Sequence, residues 1–353
     1  MASNRKSTNN LHIIEPQDFV INEITFDTDD LIAAAEGSDL ETLTVNWAGD
    51  NDLRVTVEKP EGTDLDAHNI DDQATVQEGS SYAVLHGTRG GDRLYGELHT
   101  KNMINGFQGH DYLYGGNVED VLHGGLGEDV LRGGAGDDKL LGGQGNDRLY
   151  GGNGHDLLRG GVGDDHLKGE NGHDEILGGN GNDRLFGGSG MDHLYGENGN
   201  DHISGAGGND ILRGGFGNDY LKGGSDADKL FGGHGHDRLF GGEGDDLIRG
   251  GDGVDRFYVG GGIDHLYGGA HRDFFMYRTT DMHGETYSGA DYIYDFNAGE
   301  DQVYFTGIAK RDLTISYSDE GTQVSYDLDG GTYSIYFVGD TSIGLNDFSY
   351  YLA

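Results

Sequence analysis

The chain has 353 residues but no cysteine, only 2 prolines and no apolar run that approaches the roughly 18 residues of a membrane span. Without cysteine it can form neither a disulfide framework nor a thiolate metal site. Its N-terminal sequence, MASNRKSTNNLHIIEPQDF, lacks the apolar stretch of a Sec-type signal peptide. If the protein is exported, we therefore expect the signal to lie elsewhere in the chain.

Positive charge is also scarce. The chain has 23 basic against 63 acidic residues and a formal net charge of -40, which disfavours nucleic acid as a partner and favours multivalent cations. High negative charge with only 34% hydrophobic residues is typical of disordered chains. Two features oppose disorder here, because aromatic residues make up 10% of the chain and its 68 glycines recur periodically.

The glycines belong to a nine-residue repeat that fills residues 106–276, with GGQGNDRLY at 142–150 as one copy. An apolar residue follows two positions after each aspartate. Val118, Asp226 and His271 replace the glycine two positions before it, and we expect those three loops to bind an ion poorly. The aspartates recur every nine residues in nineteen copies, at Asp111, Asp120, Asp129, Asp138, Asp147, Asp156, Asp165, Asp174, Asp183, Asp192, Asp201, Asp210, Asp219, Asp228, Asp237, Asp246, Asp255, Asp264 and Asp273.

Each part of the repeat indicates a local structure. Glycine reaches positive φ without steric cost, so the GGxGx stretch predicts a tight turn whose carbonyl oxygens point inward. The triplet around the apolar residue predicts a very short strand with its middle side chain facing in. Two copies then make one coil, and stacked coils make two parallel sheets on the order of 45 Å long. Carbonyl and carboxylate oxygens are the ligands that calcium prefers.

The repeat resembles the RTX (repeats in toxin) β-roll, whose nonapeptide is a known calcium-binding pattern. The residue patterns and this resemblance together predict an all-β protein: a parallel β-roll with a small N-terminal β domain and a C-terminal antiparallel β cap. The resemblance also implies that several calcium ions lie between successive coils, held by aspartates two copies apart and by loop carbonyls. Asp138 would then pair with Asp156 and Asp147 with Asp165, giving at most roughly seventeen sites.

Charge connects the ions to folding. Residues 106–276 carry 30 acidic and 13 basic side chains, so stacked aspartates repel one another without a counter-ion. The apolar column is thin, and the free energy of ion binding then becomes free energy of folding. We expect a chain that is largely unfolded without calcium and that gains β structure cooperatively when calcium is added.

Upstream of the roll, HGTRGGDRLYGE at residues 86–97 resembles a degenerate copy of the repeat. We interpret residues 86–105 as a degenerate first coil or N-terminal cap, because a solenoid needs atypical end coils. Asp92 lies nineteen residues before Asp111, whereas two copies of the repeat span eighteen, so it is a doubtful calcium ligand. Nine residues after Asp92, where the repeat would place the next aspartate, we expect Lys101.

Downstream, residues 277–353 contain alternating apolar segments, DYIYDF, DLTISYS, TQVSYDLD and TYSIYFVG, which predict antiparallel strands. This region resembles the C-terminal cap of serralysins. In that pattern Asp291, Asp295 and Asp301 are candidates for a further calcium, the alternative being solvated turn residues. The ending NDFSYYLA resembles a type I secretion signal, the alternative being an ordinary edge strand.

Residues 1–85 are predicted to form a small β-rich domain, with a strand pair in ETLTVNWAG and DLRVTVEKPEG that includes Trp47. No HExxH or GxSxG sequence occurs in the chain, so we expect no enzyme. The alternative is a site that uses His12 and His68, but scattered surface residues explain these histidines more simply. In the roll, His155 and His173 occupy the same loop position in successive coils. We favour the interpretation that they are ordinary solvent-facing loop residues, and the alternative is soft-metal binding or pH sensing.

The outward positions beside the apolar column hold twelve of the thirteen basic residues of the roll. The copies that contain Asp111, Asp129 and every second one after them place most of the aromatic residues on one sheet. This surface is a possible partner face for an anionic glycan or a second subunit, although outward strand positions favour such residues in any case. Its principal members are Tyr112, Tyr114, Arg148, Tyr150, Arg184, Phe186, Tyr220, Arg238 and Phe240.

These observations predict a secreted, calcium-binding structural or interaction protein of the cell surface, such as a surface-layer, matrix or adhesin-like subunit. The alternative is a glycan-binding module or calcium-dependent adhesin that uses the aromatic and basic face. An accessory chain of a secreted enzyme is a weaker alternative.

Overall fold

A computed structural model of the chain describes residues 42–48, 52–58, 83–278, 290–328 and 331–351. In these ranges no helix is long and apolar enough to cross a membrane. Strands β1 (Thr42–Ala48) and β2 (Asp52–Glu58) form an antiparallel hairpin in which Trp47 lies opposite Leu53. The predicted strand pair is thus confirmed, while His12 and His68 lie outside the described residues.

From Ala83 onward the chain winds into a β-roll in which consecutive strands alternate between two sheets. The strands are β3 (Ala83–His86), β4 (Arg93–Tyr95), β5 (Asn102–Gln108), β6 (Tyr112–Gly116), β7 (Val121–Leu126), β8 (Val130–Ala135), β9 (Lys139–Gln144), β10 (Arg148–Asn153), β11 (Leu157–Val162), β12 (His166–Asn171), β13 (Glu175–Asn180), β14 (Arg184–Ser189), β15 (His193–Asn198), β16 (His202–Gly207), β17 (Ile211–Phe216), β18 (Tyr220–Ser225), β19 (Lys229–His234), β20 (Arg238–Glu243), β21 (Leu247–Asp252), β22 (Arg256–Tyr258), β23 (His265–Ala270) and β24 (Phe274–Arg278).

Each strand pairs in parallel with the strand two positions further along the chain. Leu149 of β10 lies beside Leu167 of β12, and Leu158 of β11 lies beside Ile176 of β13. Even-numbered strands from β4 to β24 belong to a 13-stranded sheet, called sheet I, and odd-numbered strands from β3 to β23 belong to a 15-stranded sheet, called sheet II. The predicted coil of two nonapeptides is therefore confirmed.

The core of the roll is the apolar residue at the centre of each repeat strand. Leu149, Leu158 and Leu167 are fully buried, whereas the residues on either side of each one face outward. Each such side chain contributes about 1.5–3 kcal/mol when it is buried. Towards the C-terminal end the column becomes aromatic, and the rings of Phe257 and Phe275 stack with centroids 4.7 Å apart.

The segment after β24 extends both sheets. Its strands are β25 (Ala290–Ile293), β26 (Gln302–Thr306), β27 (Leu313–Ser318), β28 (Gly321–Leu328), β29 (Gly331–Val338) and β30 (Phe348–Tyr351), with a 3₁₀ turn at Lys310–Asp312. Strands β27, β28 and β29 form the expected antiparallel meander. The antiparallel prediction for DYIYDF is wrong, because β25 pairs in parallel with β23 and β29 and so continues the roll.

Two further strands of this segment, β26 and β30, also pair in parallel, and they lengthen sheet I. Phe305, Phe337 and Phe348 pack against one another beneath them, with ring centroids 5.6 to 5.8 Å apart. The apolar column of the roll thus ends in an aromatic cluster. The domain boundaries at 85, 105 and 276 stay predictions.

Candidate metal centre

The repeat aspartates form two rows along the roll, which we call ladders I and II. In each row the backbone N–H of one aspartate donates to the Oδ1 of the aspartate eighteen residues later, as Asp147 does to Asp165 at 2.7 Å and Asp138 to Asp156 at 2.8 Å. Ladder I precedes the strands of sheet I and contains Asp111, Asp129, Asp147, Asp165, Asp183, Asp201, Asp219, Asp237, Asp255 and Asp273. Ladder II precedes the strands of sheet II and contains Asp120, Asp138, Asp156, Asp174, Asp192, Asp210, Asp228, Asp246 and Asp264.

The second carboxylate oxygen of these aspartates has no protein partner. All nineteen side chains are at most 3% exposed, and the Oδ2 atom of each is buried without a hydrogen bond to any described residue. An unsatisfied buried acceptor costs about 1–3 kcal/mol, and a buried unpaired charge costs more. Because a domain is stable by only about 5–15 kcal/mol, the folded roll requires a positive partner for these oxygens, either a cation or a proton.

Glycine keeps a space open beside eighteen of these nineteen oxygens, the exception being Asp264, where Val259 takes the glycine position. A Cβ built on Gly142 would collide with Oδ2 of Asp147 and lie 2.7 Å from the carbonyl oxygen of Gly160, one coil later. A Cβ on Gly160 would collide with Oδ2 of Asp165 in the same way. A carboxylate oxygen and a carbonyl oxygen therefore border the same small space. Such oxygen donors fit calcium, which takes six to eight of them at about 2.3–2.6 Å.

The protonation of the ladders follows from their burial. Burial raises the pKa of Asp147 from 3.8 to about 8, the backbone N–H of Asp129 lowers it, and the neighbouring Asp165 raises it further. In ladder II, burial likewise raises the pKa of Asp138 to about 8. Among the described residues, no three His, Cys, Asp or Glu side chains gather around one point. An ion beside Oδ2 of Asp147 would also meet the carbonyl oxygen of Gly160 in the next coil, and a second carboxylate two copies away is what the resemblance implies.

Comparison with protein families agrees with this geometry. The model of the RTX calcium-binding nonapeptide repeat matches the chain in seven segments that together run without a gap from 102 to 277, about half of the chain: 102–122, 114–149, 123–158, 150–185, 186–221, 213–248 and 249–277. The chain belongs to this RTX repeat family. Its repeats are calcium-binding repeats, and its roll is an RTX β-roll.

Two solved structures are similar to parts of the chain. The extracellular lipase LipA from Serratia marcescens matches at 19% identity with a TM-score of 0.19, over 51% of this chain and only 40% of the lipase. The AlgE6R3 subunit of the Azotobacter vinelandii mannuronan C5-epimerase matches at 23% identity with a TM-score of 0.15, over 48% of this chain and 79% of the subunit. No curated protein matches the chain in sequence.

Both ladders of the RTX roll continue beyond the nineteen repeat aspartates. Asp92 donates its backbone N–H to Oδ1 of Asp111 at 2.8 Å, and Asp273 donates to Oδ1 of Asp301 at 2.9 Å, so both extend ladder I. Asp264 donates to Oδ1 of Asp291 at 3.1 Å in ladder II. Asp295 lies outside both ladders, because its carboxylate accepts the backbone N–H groups of Gly268 and Gly269.

The first position of ladder II is held by Asn102, not by Lys101. The backbone N–H and the side-chain amide of Asn102 both donate to Oδ1 of Asp120, at 2.6 and 2.8 Å. A turn from Glu97 to Thr100 absorbs the one extra residue that displaces this copy. The prediction that Lys101 takes the aspartate position is therefore wrong. The amine of Lys101 instead pairs with the carboxylate of Glu119 on the surface.

The irregular copies of the RTX roll keep the ladder contacts. Asp226 and His271 adopt positive φ values of 76° and 81°, a conformation that costs a non-glycine residue energy. Reduced ion binding at these loops stays a prediction. Sequence reasoning missed further irregular copies. In four of them the second glycine of the loop is replaced by a residue that adopts positive φ: Phe107, Glu170, Glu197 and Ala206. In another copy the buried Val259 replaces the first glycine before Asp264. The signal for it was present in the sequence, since this position is glycine in the other eighteen copies.

The loop histidines of the RTX roll are arranged unfavourably for a soft metal. Nδ1 of His155 accepts the backbone N–H of His173 at 2.9 Å, and Nδ1 of His173 accepts that of Met191 at 2.7 Å. A neutral imidazole that accepts at Nδ1 carries its proton on Nε2, so neither ring nitrogen is free. The side-chain oxygen of Asn146 likewise accepts the backbone N–H of Asp164, one coil later. This geometry favours the interpretation as a loop surface.

The outward side of sheet I brings the predicted partner-face residues together. Tyr220, Phe240 and Tyr258 form a stacked row with centroids 4.8 and 4.2 Å apart. Arg132 lies over the ring of Tyr150 with its guanidinium carbon 5.0 Å from the centroid. The remaining members lie along the same sheet, among them Tyr112, Tyr114, Arg148, Arg184, Phe186 and Arg238.

Proposed function

We propose that this chain is a calcium-folded structural or interaction protein that acts outside the cell and carries no catalytic site. The observation behind the proposal is the set of nineteen buried Oδ2 atoms without a protein partner. Calcium would supply the positive charge that lets both ladders ionise inside the roll. The aspartates and the loop carbonyls would hold it, and the glycines would keep its space open.

A role at the cell surface, in a surface layer, a matrix or a compact adhesin, is the finer part of the proposal. The C-terminal NDFSYYLA supports export through a type I pathway. Self-association has support from the outward side of sheet II, where Leu141, Leu157, Leu177 and Leu247 form apolar positions.

Sedimentation velocity combined with far-UV circular dichroism tests folding and assembly together. In millimolar calcium we expect a compact particle with β structure, which associates further as its concentration rises. In excess chelator we expect an expanded chain, and in magnesium alone little recovery, because magnesium demands rigid octahedral geometry and dehydrates reluctantly. Native β structure in chelator would overturn calcium-dependent folding, and a strict monomer in calcium would overturn the assembly role.

The second candidate is a glycan-binding module, and the charge distribution on sheet I favours it. At the two positions that flank the buried apolar residue of each strand from β4 to β24, sheet I carries no acidic side chain, in a chain of net charge -40. The exposed Glu170 and Glu243 lie further along strands β12 and β20. The flanking positions hold eight basic side chains: Arg93, Arg132, Arg148, Lys168, Arg184, Lys222, Arg238 and Arg256. Within the described part of the chain, none of them forms an ion pair. Basic groups beside aromatic rings suit an anionic polysaccharide, because sugars stack on rings and carboxylates pair with arginine.

A glycan array in calcium tests this candidate with a matched pair of variants. Arg148→Ala with Arg184→Ala removes charge from sheet I, whereas Lys139→Ala with Arg159→Ala removes the same charge from sheet II. Selective loss of binding in the first variant is expected. An array without hits, or equal losses in both variants, would remove the candidate. Hydrolytic activity that depends on His12 or His68 would contradict the non-catalytic part of the proposal.

A further inference from the structure

The ends of the ladders differ from their interior in the partner of one oxygen atom. In the nineteen repeat aspartates Oδ2 has no donor, but at the end positions a protein group takes that place. At the start of ladder I, the backbone N–H and the hydroxyl of Thr88 lie 2.5 and 3.0 Å from Oδ2 of Asp92. At the end of ladder I, the backbone N–H of Asn297 lies 2.8 Å from Oδ2 of Asp301.

The two end positions of ladder II also lie beside protein groups, but the side chains differ from those of ladder I. Its first position is the neutral amide of Asn102, whose oxygen accepts the backbone N–H of Glu97 at 3.0 Å. Its last position is Asp291, whose buried carboxyl lies beside the buried Tyr277. Protein groups therefore satisfy the end positions Asp92, Asp301 and Asn102, although the backbone geometry of all four end positions continues the ladder.

A donor and a cation exclude each other where both approach a carboxylate oxygen from the same side, because they then compete for the same lone pair. An N–H or O–H group turns its positive end towards the carboxylate, so a calcium ion in the same space would meet that positive end and lose one ligand. The first-coil glycine does not change this, since a Cβ on Gly87 would lie 2.6 Å from Oδ2 of Asp92, as in the interior copies. A space beside Oδ2 of Asp92 is therefore present, but the donors of Thr88 already bind that oxygen.

We propose that protein donors close both ladders at both ends in place of ions, which confines calcium to the intervals between Asp111 and Asp273 and between Asp120 and Asp264. There are nine such intervals in ladder I and eight in ladder II, so the chain binds at most seventeen ions. The doubtful ligands Asp92, Asp291 and Asp301 then hold no calcium. This inference rests on the proposed calcium-dependent folding and adds which carboxylates take part.

Counting bound calcium on the full chain tests the proposal. Equilibrium dialysis against calcium, with the metal measured by atomic emission, is applied to the wild type, Asp165→Asn, Asp92→Asn and Asp301→Asn. Asparagine keeps the Oδ1 acceptor and replaces Oδ2, with its charge, by an NH2 donor. Asp165 borders two intervals, so its variant should lose one or two ions, and the two end variants should lose none. Asp164→Asn, at the exposed neighbouring position, is the matched control and should also lose none.

Loss of an ion in Asp92→Asn or Asp301→Asn would overturn the proposal, as would a wild-type count above seventeen. If the wild type bound no calcium at all, the proposed function would fail as well, so the two failures are distinguishable. Tyr277→Phe provides a second readout that does not depend on the end variants. It should speed hydrogen exchange in residues 290–296 in calcium without changing the ion count, and a lower ion count would contradict the proposal.

Discussion

Removing calcium should make the stability of the roll depend on pH in one direction only. Burial raises the pKa of Asp147, Asp228 and Asp273 from 3.8 to about 8 in the metal-free fold. At a pH between 3.8 and about 8, such a carboxyl group is mostly protonated in the folded chain and mostly ionised in the unfolded chain. The metal-free roll is therefore least destabilised below about pH 4, and its stability falls as pH rises towards 8.

The size of the effect follows from the number of carboxylates. Each pKa unit is worth about 1.4 kcal/mol, so one aspartate raised to about 8 costs on the order of 5 kcal/mol at neutral pH. The total stability of a domain is about 5–15 kcal/mol, which two or three such groups would cancel. The metal-free roll should thus be unfolded at neutral pH and regain β structure only as the ladders become protonated.

Circular dichroism between about pH 4 and pH 8 measures this dependence, in chelator and in saturating calcium. In chelator the β signal should decrease as pH rises. In calcium it should stay constant above about pH 5, because the ladder carboxylates are then ionised in both the folded and the unfolded chain. A native signal in chelator at pH 8, or the same pH profile in both solutions, would show that ionisation of the ladders does not destabilise the metal-free roll.

Three further predictions concern the space around the ladders and the core. Gly160→Ala places a Cβ against Oδ2 of Asp165, so it should raise the calcium concentration at the folding midpoint several-fold, whereas Asn146→Ala on the loop surface should change the midpoint little. Leu149→Ala should reduce the free energy of unfolding in calcium by about 2–5 kcal/mol, and the outward Leu157→Ala by much less, as measured by urea denaturation. Terbium, an oxygen-seeking ion, should restore β structure in calcium-depleted protein, and failure to do so would contradict the all-oxygen donor set.

The regular part of the molecule could be predicted because its structure repeats with its sequence. A fixed interval of nine residues places every aspartate in a ladder and every second residue after it in the core, so Asp147 and Leu149 follow from one pattern. The choice of sheet for each basic residue follows from the same periodicity, since alternate copies belong to alternate sheets.

The irregular parts depend on contacts that no local pattern contains. Asn102 takes a ladder position because a short turn absorbs one residue, and the length of a turn is independent of the repeat. Strand β25 pairs in parallel because β23 already offers an open edge, a long-range effect that its alternating sequence does not encode. The donors at the ends of ladder I, Thr88 and Asn297, lie four residues before Asp92 and Asp301, a position that is mostly glycine in the interior copies, and only the folded arrangement shows that they donate to Oδ2.

The alternation of the copies between two sheets limits how this gene can change in length. Loss or duplication of one nonapeptide would move every later copy to the opposite sheet, exchange the basic face of sheet I with the aliphatic positions of sheet II, and put Asp291 and Asp301 out of phase with their ladders. Loss or duplication of eighteen residues would change none of these relations. Natural variants of this roll should therefore differ by whole coils, and the inheritable unit of length is the pair of nonapeptides.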